Sequence, residues 1–402
     1  MGDSRDGRCF AVGLECSRTG KAHDIGILQG ASESGAPLLV RYDLDAVSRS
    51  VDPAVLANRP ADMWRYRELL PHPDGCVPVS LGEIRTPLIT LGRSLINNAG
   101  PGTVLVKDEG RLPTGSFKAR GLALAVTMAR FFGVERIAMP TAGNAGAALA
   151  AYAARAGIES FVFAPADAPD VTLREAALHG ARVRKVDGLI DACGRLVAEG
   201  AESRGWFDLS TLREPYRIEG KKTMGLELAE QMGWRAPDAI FYPTGGGTGL
   251  IGMWKAFREL RTLGWLDGPL PRMIVVQTSG CCPIVRAFES GAEEVEHPWK
   301  EVTTSVHGVR VPKPFGDRLI LSALRESDGF AIAAADEQVE PARSRVAALD
   351  GMHLCPEGAA CFVAYQEALE KGVIGKGDKV VLFNSASGLK SPMPEVTDAD
   401  DG

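Results

Sequence analysis

From about residue 80 onward, short apolar runs alternate with alanine-rich stretches of helical period, the pattern of a parallel sheet wrapped by helices. The runs predict strands at 103–107, 136–140, 160–164, 181–186, 239–242, 273–277 and 379–383. Helical periodicity covers 122–130, 145–156 and 250–258. Most of these strands end in a turn rich in Gly, Ser or Thr. In an open parallel sheet ligands sit beyond the carboxyl ends of the strands, so chemistry is sought in those turns. The first 80 or so residues look irregular, and the polar tail at 392–402 is expected to be frayed.

Composition narrows the picture. A chain of 402 residues exceeds one ordinary core, which predicts two lobes. With 45% hydrophobic and 24% charged residues it has the apolar surface to fold. The net charge of −6 and scattered cations give no field for a polyanion, which argues against nucleic acid. No apolar stretch approaches the ~20 residues of a membrane span, and residues 1–6 lack a secretory core, so a cytoplasmic protein without a membrane partner is expected. The eight cysteines form no dense framework and read as thiols. The six histidines show no metal spacing, and no metal is expected.

Four turns carry candidate chemistry. In Thr114-Gly115-Ser116-Phe117-Lys118 a lysine follows a turn and opens a helix; partly desolvated, its neutral amine can form a Schiff base. Thr141-Ala142-Gly143-Asn144-Ala145-Gly146 surrounds one amide side chain with small residues, so a flat ligand can approach and Asn144 can donate to a phenolate oxygen. By itself Asn144 reads equally as a helix cap. Gly245, Gly246, Gly247, Thr248 and Gly249 follow a strand and precede a helix, a nest of free amides suited to a phosphate. The loop lacks the Gly-Lys-Ser/Thr ending of nucleotide loops and the wider dinucleotide spacing. Ser385, after the last strand, offers a hydroxyl to a pyridine nitrogen without forcing it to stay protonated. A Schiff-base lysine, a phenolate donor, a phosphate cup and a ring-nitrogen partner together describe a pyridoxal 5'-phosphate site.

The order of these turns is similar to that in pyridoxal-phosphate enzymes of the tryptophan synthase β type, fold type II. The resemblance implies two open twisted, mostly parallel sheets wrapped by helices, with the cofactor between the lobes. It also implies an N-terminal segment 1–80, a large lobe of 81–115 plus 234–391, and a small lobe of 116–233. Within that family the chain resembles the threonine synthases over roughly residues 15–390. Pro215-Tyr216-Arg217-Ile218-Glu219-Gly220-Lys221-Lys222-Thr223 is similar to a family Pro-His-Arg-Leu-Glu-Gly-Gln-Lys-Thr segment, and Gly280-Cys281-Cys282-Pro283-Ile284-Val285 to a Gly-Cys-Ala-Pro-Ile-Val segment. Cys16 stands where relatives carry a cysteine-rich start, but it lacks the paired partners of a four-thiolate zinc site.

What the resemblance implies is a homodimeric lyase acting on a small, phosphorylated amino acid, O-phospho-L-homoserine. Lys118 would hold the cofactor and move protons, and Arg217 with Lys221 would hold the substrate phosphate. Thr86 and Ser116 would contact the substrate. Arg217 reads equally as a structural partner of Glu214 or Glu219. Departures at Arg85, Ala119 and the stretch Ser210-Thr211-Leu212-Arg213-Glu214 fall at the substrate end. They keep open amino-acid dehydration, a cysteate-synthase-like β-replacement, or a non-catalytic relative.

Overall fold

A computed structural model describes residues 9–95, 103–141 and 143–393. The start at 1–6, Ala142 and residues 394–402 of the tail lie outside them. The chain opens with β1 (Ala11–Cys16), β2 (Ala22–His23), β3 (Leu38–Tyr42) and α1 (Leu44–Ser50). It continues through β4 (Leu88–Thr90), β5 (Val104–Asp108), α2 (Lys118–Phe131), β6 (Arg136–Pro140), α3 (Asn144–Ala156), β7 (Glu159–Pro165), α4 (Asp170–Leu178), β8 (Arg182–Val186), α5 (Ile190–Arg204), β9 (Phe207–Asp208) and α6 (Tyr216–Gln231). It closes with β10 (Ala239–Pro243), α7 (Thr248–Thr262), β11 (Arg272–Thr278), α8 (Pro283–Glu289), α9 (Asp317–Glu326), β12 (Phe330–Ala334), α10 (Asp336–Asp350), α11 (Pro356–Glu370) and β13 (Val380–Asn384).

Two α/β sheets result. One has the order β12-β11-β10-β13-β5-β4, parallel except for the edge strand β4. The other, β8-β7-β6-β9, is parallel throughout. Every residue of β10 and β13 is buried, as expected for central strands covered by helices on both faces. All seven strands expected from apolar runs are present, shifted by a residue or two. β12, Phe-Ala-Ile-Ala-Ala, escapes that reading because its alanines carry no β preference.

The N-terminal 80 residues differ from the irregular segment expected. They form a third, antiparallel sheet in the order β2-β1-β3. Leu14, Leu38 and Val40 from this sheet pack in one core with α2 and α3. Cys16 lies between the hydroxyls of Ser32 and Ser34, at 3.1 and 3.2 Å. All eight cysteines are free, and among the described residues no group of three or more His, Cys, Asp or Glu is arranged to hold a metal ion. Among the same residues no helix is long and apolar enough to cross a membrane.

Helix α6 joins the lobes. Tyr216 belongs to the core with α2 and α3, whereas Ile218, Met224, Leu226 and Leu228 pack in the core of the larger sheet with α7. The expected small lobe of 116–233 therefore gives its last helix to the other core. At this seam a fully buried ion cluster ties α2 and α6 to β5. Arg120 pairs with Glu109 at 2.7 Å and Glu227 at 3.0 Å, and Lys107 also pairs with Glu227. Buried charges are tolerated when paired and hydrogen-bonded, as these are.

Candidate functional site

A cavity of about 890 Å³ lies between the lobes, and the ends of the strands open on it. Lys118, Asn144, the whole of Gly245, Gly246, Gly247, Thr248 and Gly249, and Ser385 line it. Four motifs spread over 268 positions (385 − 118 + 1) thus meet at one place.

Backbone contacts bring the first and last motifs together. Ser116 bridges to Ala386, the Phe117 N–H donates to the Ser385 carbonyl at 2.9 Å, and the Ser387 N–H donates to the Gly115 carbonyl at 2.8 Å. The turn before Lys118 requires positive φ at Thr114 (57°) and Gly115 (60°), which brings the chain back before α2 begins. Burial, with the Arg217 guanidinium adding to it, lowers the Lys118 amine to about 7, against a small opposing pull from Glu357. At neutral pH a large fraction of this amine is therefore uncharged and nucleophilic.

The capping alternative for Asn144 is resolved by its neighbour. Thr141 Oγ1 accepts from the N–H groups of Gly143 (3.0 Å) and Gly146 (3.2 Å), so the threonine caps α3. Asn144 Oδ1 is buried without a hydrogen-bond partner. Asn144 lines the cavity, where its Nδ2 can donate to an incoming acceptor.

The glycine loop is shaped so that side chains do not fit. A Cβ on Gly245 would lie 2.5 Å from the Gly308 carbonyl oxygen, and one on Gly249 1.9 Å from the Tyr242 hydroxyl. Gly247 sits at φ +79° and precedes α7 without any side-chain cap. The first-turn amides of a 15-residue helix are thus left to an anion at the cavity wall. Ser385 is held from behind: Asn384 Oδ1 accepts from the Cys355 N–H at 2.9 Å, and Cys355 Sγ lies 3.7 Å from Ser385 Oγ. A neutral-capable lysine, an Asn side-chain N–H at the cavity wall, a side-chain-free amide nest and a supported hydroxyl fit pyridoxal phosphate by the chemistry of the donors.

None of the four residues expected to contact the substrate is among those lining the cavity. Thr86 is buried in the ion cluster, where its hydroxyl donates to Glu109 Oε1 at 2.7 Å. Ser116 is fully buried and its Oγ has no partner. Arg217 lies behind the wall: its Nη1 donates to the Leu209 carbonyl at 2.8 Å, and its own N–H is held by Glu214. Burial raises the Glu214 carboxyl to about 7. Lys221 donates to the Phe117 carbonyl and its Nζ sits 4.1 Å from the centroid of the Phe117 ring. The Arg217 charge acts on the Lys118 amine, and among the described residues the buried Arg217 Nε has no hydrogen-bond partner.

The cavity has walls that the sequence reading missed. Ser17, Arg18, Gly35, Ala36 and Pro37 of the N-terminal segment line it, as do Arg213, His307, Phe315 and Glu357. Glu357 accepts from the Gly308 N–H at 2.8 Å and lines the cavity. Burial, with Arg310 nearby, lowers the His307 pKa, which favours a neutral imidazole. No spacing rule finds these residues, since tertiary folding alone brings them together.

Comparison with known proteins agrees with this geometry. The family described as pyridoxal-phosphate dependent enzyme matches residues 79–386. Threonine synthase of Methanocaldococcus jannaschii is 33% identical over 94% of this chain and 92% of that protein. Threonine synthase of Methanosarcina acetivorans is 34% identical over 98% and 96%. In fold, the chain is similar to maize serine racemase, with a TM-score of 0.62 and 19% identity over 76% of this chain and 88% of that one.

Proposed function

Because the chain belongs to the pyridoxal-phosphate dependent enzyme family, we propose that it converts O-phospho-L-homoserine and water into L-threonine and phosphate. It is a pyridoxal-phosphate-dependent, threonine synthase-like lyase; the particular substrate is the proposed part. One observation carries the cofactor end of the reading: Lys118, Asn144, the glycine loop and Ser385 converge on one cavity.

Lys118 would hold the cofactor, Asn144 its phenolate oxygen, Ser385 its ring nitrogen, and the amides of Gly245, Gly246, Gly247, Thr248 and Gly249 its phosphate. The bound cofactor supplies an electron sink for negative charge developing at the substrate's Cα and Cβ. With its amine free, Lys118 would take a proton from Cα and move protons at Cβ and Cγ, and the burial that lowers this amine to about 7 in the cofactor-free chain suits it to both directions of transfer. Phosphate leaves from Cγ and water adds at Cβ. The lobes and the N-terminal segment surround the cavity and limit competing solvent.

A second reading, dehydration of an amino acid or β-replacement on a phosphorylated one, is favoured by the withdrawal of Arg217 and Thr86 from the cavity wall. Phosphate release from O-phospho-L-homoserine, compared with O-phospho-L-serine and with ammonia release from threonine, separates the two. Turnover of O-phospho-L-homoserine with little from the others is expected. Preference for O-phospho-L-serine or threonine would establish the second reading, and inertness toward all three would leave neither.

A further inference from the structure

Arg217, the arginine expected to meet the substrate phosphate, is not among the residues lining the cavity, so the lining cations matter. Five arginines line it, and four are already paired: Arg18 and Arg318 with Glu294 (3.7 and 2.8 Å), Arg195 with Asp191 (2.9 Å) and Arg310 with Asp167 (2.7 Å). Lys390 is likewise paired with Glu175 at 2.6 Å, and Lys313 reaches the Glu296 carbonyl at 3.5 Å. Arg213 is the exception: among the described residues no carboxylate pairs with it. Its guanidinium carbon lies 4.4 Å from the centroid of the Phe315 ring, and both residues line the cavity. A guanidinium stacked on a ring keeps its edge N–H groups available as a flat fork for an anion.

The backbone holds it there. Leu212 takes a left-handed conformation, φ +64°, unusual for a branched side chain. That side chain is buried, with its Cδ1 only 2.4 Å from where a Cβ on Gly316 would lie. Leu212 and Arg213 therefore lie along Phe315 and Gly316 as a pair. Gly30 of the N-terminal segment closes on the same turn, where a Cβ would come within 2.9 Å of the Arg213 carbonyl oxygen. On the inner side Thr211 meets the glycine loop, its Cγ2 2.9 Å from a Cβ on Gly246. Arg213 thus stands two residues from the contact with the cofactor's phosphate loop, in a strained turn supported from three directions.

We infer that Arg213, stacked on Phe315, is a specificity-determining residue that receives the dianionic phosphate monoester at the far end of the substrate. This rests on the proposed reaction. Arg217, four residues further along, donates from Nη1 to the Leu209 carbonyl, and its main-chain N–H donates to the Glu214 carboxylate.

The test uses cofactor-loaded Arg213→Met, Arg213→Lys and Phe315→Leu enzymes, each checked for an unchanged visible spectrum. Two readouts are taken: KM for O-phospho-L-homoserine, and calorimetric affinity for inorganic phosphate. Loss of a charge-assisted fork in Arg213→Met is expected to weaken both by about tenfold or more. Arg213→Lys should recover part of the loss, because it keeps the charge but not the fork. Phe315→Leu should weaken both by a smaller factor. Unaltered KM and phosphate affinity in Arg213→Met, with the unsubstituted enzyme active, would remove Arg213 and leave the reaction standing. An unsubstituted enzyme that neither binds phosphate nor turns over a phosphorylated amino acid would overturn the reaction and this inference together.

Discussion

The wall proposed to hold the cofactor and the wall proposed to face the substrate are built from different materials. The cofactor wall is mostly backbone: free amides at the start of α7, glycines that no side chain can replace, and a lysine turn tied to the Ser385 turn by main-chain hydrogen bonds. The rest of the lining, proposed to face the substrate, includes side chains drawn from distant parts of the chain, among them Arg18, Arg213, Phe315 and Glu357. A backbone device leaves a local signature, because it demands particular residues at adjacent positions. Long side chains reach a site from many positions, so the substrate wall leaves none, and Thr86, Ser116, Arg217 and Lys221 were expected where they are not found.

The difference sets the order of expected effects. Lys118→Ala should abolish the visible band of the bound cofactor and lower turnover by about 10³-fold or more, since one residue both holds the cofactor and moves the protons. Measurable turnover with an intact band would break the assignment of the cofactor wall. Gly247→Ala places a side chain at φ +79°, and the strain of about 1–3 kcal/mol should raise the Kd for pyridoxal phosphate by about ten- to a hundredfold in equilibrium dialysis. An unchanged Kd would show that the loop does not receive the phosphate.

The pH dependence is smaller and has a definite sign. With the Lys118 amine lowered to about 7, its neutral fraction falls about tenfold from pH 8 to pH 6, so the rate of cofactor attachment to the apoprotein should fall over that window and level off above it. A rate still climbing steeply beyond pH 9 would mean an ordinary lysine. Smallest in activity is Thr86→Val. It removes a hydroxyl that donates to Glu109 and should cost about 1–3 kcal/mol in denaturant unfolding while leaving KM unchanged. A raised KM with unchanged stability would return Thr86 to the substrate wall.

The same contrast explains what could be read in advance. Central strands such as β10 and β13 appear as apolar runs because both their faces are covered, whereas β8, at a sheet edge, has no buried residue. The N-terminal sheet was not visible: β1 alternates weakly around Gly13 and β2 has two residues, so its hydrophobic face makes sense only against α2 and α3. Lys118 and the glycine loop were recognisable from local chemistry. Asn144 was ambiguous until Thr141 was seen to cap the helix, freeing the amide. Arg213 was noticed only as a departure, and its significance comes from Phe315, 102 positions later (315 − 213), which no local pattern connects to it.

The central claim is that carbon–oxygen cleavage at Cγ is coupled to addition of water at Cβ in one cavity, and turnover of O-phospho-L-homoserine in ¹⁸O-labelled water tests it most directly. The account predicts threonine carrying one labelled oxygen in its side-chain hydroxyl, formed in equal amount with phosphate that carries only the substrate's oxygens. Label in the phosphate would mean that the phosphorus–oxygen bond was hydrolysed, and phosphate released without threonine would mean elimination alone; either result would contradict it.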